Sequence, residues 1–100
     1  MSEQCLLVLI APPQIEEPLV DFLLEREHFS GFSAQKIDGS PAHGTLTLAE
    51  QVTGRKRQVM LHVHADCAWV RELVAGLAET FPGAGLHYWI MPVIEAGPIA

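Results

Sequence analysis

Between Gln58 and Ala78 the hydrophobic period of the chain changes. Val59, Leu61 and Val63 alternate with Met60, His62 and His64, the period of two that a strand imposes because successive side chains leave it on opposite sides. Further on, Val70, Leu73, Val74, Leu77 and Phe81 recur at the spacing of one helical face. Asp66 stands between the two patterns, where a carboxylate can accept bonds from a helix's first free amides, so it is the expected N-cap. The expectation is a central strand feeding a helix that folds back over it.

The rest of the chain arranges itself around this hinge. Cys5 to Ala11 is apolar on both faces and reads as a buried strand, stopped by Pro12 and Pro13. Pro13 also suits the start of a helix, where a missing amide hydrogen costs nothing. Ile15, Leu19, Phe22 and Leu23 form the apolar stripe of that helix, with Glu16, Glu17, Asp21 and Glu25 around it. Pro18 places its regular start near Glu17, and its end is expected near Glu27 or His28.

Phe29 to Ile37 alternates weakly and reads as an edge strand, followed by an Asp38–Gly44 loop rich in turn residues. In Thr45–Gly54, Thr47 and Glu50 have the spacing of a capping box, which gives a short helical turn or, alternatively, a hairpin arm. Pro82-Gly-Ala-Gly85 makes a tight loop before a last strand, His87 to Val93, again apolar on both faces. Strand, helix, strand, strand, helix, strand is the α+β order of a ferredoxin-like β-α-β-β-α-β sandwich: an antiparallel sheet with two helices on one face.

Composition sharpens this picture. The 100 residues make one domain, 1–100, yet 49% are apolar, more than so small a unit shelters alone. The face opposite the helices would carry apolar residues from the first and last strands, where water-facing sheets are normally polar. A homo-oligomer that covers this face is the expected resolution. The net charge of −6 argues against a nucleic-acid partner. Met1-Ser-Glu-Gln has no basic leader, and the apolar run after it is far short of the ~20 residues of a membrane span. A cytoplasmic protein with reduced thiols is expected. With the first and third strands read as running parallel, Cys5 and Cys67 fall at opposite ends and no disulfide between them is expected.

Two constellations carry candidate chemistry. His62 and His64 point the same way from one strand, ~6.6 Å apart at Cα, and are candidate ligands of a divalent metal, with Cys67, His43 or another subunit supplying the third donor. The plainer reading is hydrogen-bonded or interfacial histidines. Arg55, Lys56 and Arg57 are candidate phosphate ligands, with Gly83 and Gly85 letting a ligand approach the backbone; their plainer role is a solvated strand start. Trp69 and Trp89 are read as packing residues. No catalytic elbow, paired carboxylates or Cys–His dyad stands out, so no enzyme is expected.

Val63-His-Ala-Asp-Cys-Ala-Trp-Val-Arg-Glu-Leu-Val74 resembles the third-strand-to-second-helix segment of PII-like signal-transduction proteins. Met91-Pro-Val-Ile-Glu-Ala96 is similar to their last strand, and Val8-Leu-Ile-Ala-Pro12 to their first. The resemblance spans Cys5 to Ala96, and Ala49 to Arg57 resembles a divergent branch of unknown function. It implies a homotrimer with sheets packed inward, in which nucleotides bind between subunits and a loop, here Asp38–Gly54, contacts a protein target in nitrogen regulation. The family's Gly-Asp-Gly-Lys loop is matched only at Gly83 and Gly85; Leu86 or His87 stands where the lysine is, and no cation follows the last strand. The usual ATP site is therefore not expected, and the cofactor stays unassigned. A trimeric metal binder similar to the CutA-type divalent-cation tolerance proteins is the alternative.

Overall fold

The computed structural model describes residues 3–26, 32–39 and 56–99. Strand β1 (Gln4–Ala11) leads through a 3-10 turn at Pro13–Ile15 into helix α1 (Glu16–Leu24). Strands β2 (Phe32–Gly39) and β3 (Lys56–Asp66) follow, then helix α2 (Cys67–Thr80) and strand β4 (His87–Pro92). The strands form one sheet in the order β2-β3-β1-β4, with every neighbouring pair antiparallel. This is the expected ferredoxin-like α+β arrangement, with β2 on an edge.

Alternation sorts the sheet's residues between its faces. Cys5, Leu7, Leu9 and Ala11 of β1 and Val59, Leu61, Val63 and Ala65 of β3 join Leu19, Phe22 and Leu23 of α1 and Val70, Leu73 and Leu77 of α2 in one buried cluster. Both helices therefore lie on the same face. Each large aliphatic side chain taken from water into this cluster contributes about 1.5–3 kcal/mol.

Local chemistry sets the helix ends. Pro18 falls in the first turn of α1, where its absent N–H has no intrahelical acceptor to lose, so the helix starts at Glu16 despite it. The helix stops at Leu24, short of the Glu27 or His28 expected. The Phe22 carbonyl, which the Arg26 amide would take in a continuing helix, instead accepts a 2.8 Å bond from the Arg26 guanidinium. The Arg26 amide turns to Leu23 O at 3.1 Å, and the guanidinium lies 3.4 Å from the centre of the Phe22 ring. Phe22 in turn meets Phe81 edge-on at 5.7 Å, tying α1 to the C-terminal end of α2.

Two expectations are corrected at the start of α2. Asp66 holds the N-cap position but makes no side-chain cap bond; its Oδ1 accepts from Gln4 Nε2, and the Cys67 amide donates to Glu3 O at 2.9 Å. A backbone carbonyl from a distant stretch of chain does the capping. Cys5 and Cys67 form a disulfide, with Cα atoms 4.9 Å apart. The reason is strand direction: β1 and β3 run antiparallel, so Cys5 pairs with Ala65 and Cys67 follows two residues on. The thiols expected to be free are joined.

β2 continues through Asp38 and Gly39, where a loop was expected to have begun. The turn or arm expected within Thr45–Gly54, together with His28, His43 and Arg55, lies outside the described residues.

Candidate functional site

The loop joining α2 to β4 closes a cleft against the sheet. Gly83 and Gly85 have φ of 69° and 81°, left-handed values that glycine adopts without the clash a side chain meets. At Gly85 a Cβ would also meet Pro12 Cγ at 3.3 Å, so this glycine lets the loop lie on the end of β1. The Phe81 amide still donates to Leu77 O at 2.9 Å, and the Ala84 amide to Phe81 O at 3.3 Å. Below the loop is a cleft of about 290 Å3, walled by Leu9, Val74, Leu77, Phe81, Leu86 and Tyr88. Tyr88 brings the one hydroxyl among these side chains.

The sequence-selected ligand residues divide around this cleft. Gly83 and Gly85 line it. His87 opens β4 opposite Ile10, on the face away from the helices, while Tyr88 opposite Leu9 takes the cleft side. The parity of the strand thus puts the tyrosine, not the histidine, at the cleft. Arg57 is exposed and Lys56 opens β3; both stand at the same end of the sheet as the glycines, but β1 runs between their strand and β4. Arg57 does not line the cleft.

The second region is the face opposite the helices. Register sets three rows across it: His64, Leu6, Met91; His62, Val8, Trp89; Met60, Ile10, His87. Val8 and Ile10, in the central strand, are buried by their flanks, whereas Trp89 is 55% exposed and Met91 42%. Trp69 packs against the core as expected, but Trp89 finds no such cover among the described residues.

His62 and His64 do share a face and are half-buried. Cys67 is separated from them by parity and chemistry: it joins the core on the helix side, and its sulfur is bound to that of Cys5. It supplies no thiolate to those histidines in this form. Among the described residues, no three His, Cys, Asp or Glu side chains gather as a metal site. Also among them, no helix is long and apolar enough to cross a membrane.

Tyr88 and Met91 are the residues that sequence reasoning passes over, and Trp89 is one that it reads only as packing. Their signal is the unbroken apolar run of β4, which marks both faces without telling which side chain meets which surface.

The chain resembles several solved structures. A crystal structure of a DUF3240 family protein from Shewanella baltica OS155 is 31% identical, with a TM-score of 0.80 and full coverage of both chains. CPII, a nitrogen regulatory PII-like protein from Thiomonas intermedia K12 bound to ADP, AMP and bicarbonate, is 16% identical, with a TM-score of 0.71 over 96% of each chain. A Bacillus cereus protein related to NIF3 is 14% identical, with a TM-score of 0.72 over 97% of this chain and 27% of that one. At these lower identities the likeness is one of fold. No curated protein sequence matches. Residues 1–100 match the family described as "Protein of unknown function (DUF3240)". With that match over its whole length, the chain belongs to the DUF3240 family, and its sheet and helix layer is a fold it shares with PII-like proteins.

Proposed function

We propose that this protein is a non-enzymatic PII-like signalling protein that works as a homotrimer, its sheet faces packed inward and its contacts with a protein target modulated by a small ligand. The observation that carries this reading is the face opposite the helices. Trp89 and Met91 stand exposed there beside buried Val8 and Ile10, and further copies of the same chain supply the missing cover. The segment Asp38–Gly54 is the proposed contact with the target. The fold shared with nucleotide-bound CPII supports a nucleotide as the modulating ligand. The uncharged walls of the cleft favour an apolar ring there, with the phosphates reaching cations elsewhere, Arg57 first among them.

Sedimentation at micromolar concentration tests the assembly. A mass of three chains is expected for the wild type and one chain for Trp89→Glu. A well-behaved wild-type monomer would sink the proposal. Thermal shift with ADP or AMP tests the ligand, since binding to the folded state raises the melting point. A shift abolished by Arg57→Ala supports the ligand-gated form; no shift removes nucleotides from it.

One observation favours a second reading, a CutA-like metal-binding trimer. His62 and His64 lie on the face that would meet other copies, so donors can be gathered across an interface. A stabilising shift with zinc or copper that vanishes in His62→Ala plus His64→Ala is its expected signature. No shift with either metal eliminates it.

A further inference from the structure

The Cys5–Cys67 bond takes no part in the proposed assembly or ligand binding, yet it sits where several elements meet. Cys5 is the second residue of β1, and Cys67 the first of α2. The residues just before Cys5 hold three other partners at the same corner. Glu3 O accepts from the Cys67 amide at 2.9 Å, Gln4 O accepts from the Val93 amide at 3.0 Å, and Gln4 Nε2 donates to Asp66 Oδ1. The start of α2, the end of β3 and the exit of β4 thus all lean on a two-residue stretch whose position is secured covalently at Cys5.

We infer that the Cys5–Cys67 pair is a redox-set clamp on this corner: joined, it fixes the first turn of α2 and the exit of β4 against β1, and reduced, it leaves them on hydrogen bonds and core packing without a covalent tie. Both residues are 5% exposed, so a thiol reaches the bond only when the corner opens locally. The oxidised state therefore persists once made and responds slowly. The reduced state keeps its core, because a buried thiol packs as a small apolar group.

The exchange balances with a low-molecular-weight dithiol as reductant. One of its thiolates attacks a sulfur of the pair, the protein S–S bond breaks, and a mixed disulfide forms. Its second thiolate then displaces the protein sulfur. Two electrons and two protons pass to Cys5 and Cys67, and the dithiol leaves as a disulfide. A small-molecule disulfide runs the reaction backwards and leaves as two thiols.

The test uses the whole chain in two batches, one held in dithiothreitol and one in glutathione disulfide. Thiols are counted after denaturation, melting points are measured, and backbone order parameters are recorded by NMR. The expected result is two thiols against none and a reduced form melting about 10 °C or more lower. Order parameters at Trp69 and Val93 should fall from about 0.85 toward about 0.6 on reduction, with Gly83 and Gly85 unchanged. The double variant Cys5→Ser, Cys67→Ala should match the reduced form and ignore both reagents. Two thiols surviving glutathione disulfide would overturn the inference. So would equal melting points, or order parameters at Trp69 and Val93 that stay the same. These measurements need only the wild-type chain, so they decide the matter even where the double variant does not fold.

Discussion

The two ends of the sheet are held by opposite means. Where β1 begins, a disulfide, two backbone bonds and a side-chain bond converge on Glu3, Gln4 and Cys5. Where β1 ends, Pro12 meets a loop whose path depends on two glycines with left-handed φ, and an apolar cleft opens beside it. One end is crosslinked; the other is shaped by backbone freedom and opens into a cleft. A small domain gains by placing its covalent tie away from an open cleft, because anchoring and adaptability make conflicting demands on the same residues.

Substitutions at the two ends should separate these roles. The largest effect is expected from Cys67→Ala under oxidising conditions. The pair closes 62 residues of sequence, and losing that constraint on the unfolded chain costs about 2–4 kcal/mol, read from urea unfolding. In dithiothreitol the same substitution should cost far less. If the cost is equal in both conditions, the crosslink is not what holds that end.

Gly85→Ala comes next, at about 1–2 kcal/mol, since it combines an unfavourable φ with pressure on Pro12. Gly83→Ala keeps the φ cost but has open space around the new Cβ, so it should fall at the lower edge of that range. Equal losses at the two glycines would show that the loop does not bear on the end of β1. The smallest effect is expected from Gln4→Ala, about 0.5 kcal/mol, because its bond to Asp66 is exposed to water. A loss comparable to that of Cys67→Ala would move the weight of that corner from the disulfide to the hydrogen bonds.

The strands and helices are legible because their periods differ and their stops are prolines and glycines. Alternation along β3 separates Val59, Leu61 and Val63 from His62 and His64, and the core sorts them in the same way. The element order leads to the fold. What fails is strand direction. The crossover through α1 makes β1 and β2 parallel, and β3, paired antiparallel with β2, must then oppose β1. The disulfide is a consequence of that topology, and a parallel reading of β1 and β3 contradicts the element order it starts from.

Other features are out of reach of local pattern. The cap on α2 comes from Glu3, far away in sequence, and the end of α1 depends on which donor reaches Phe22 O first. The glycines of the cleft are visible as a loop, whereas Tyr88 as its wall depends on the register of β4 against β1. An unbroken apolar run contains no information about that register.

The pairing of Gln4 with Val93 has a practical consequence for anyone attaching a probe. Gln4 and Val93 thus stand side by side, at the pole remote from Gly83–Gly85. A fluorophore pair placed at the exposed Glu3 and Ile94 would report fraying of that pole, while a guest entering the cleft would meet neither dye.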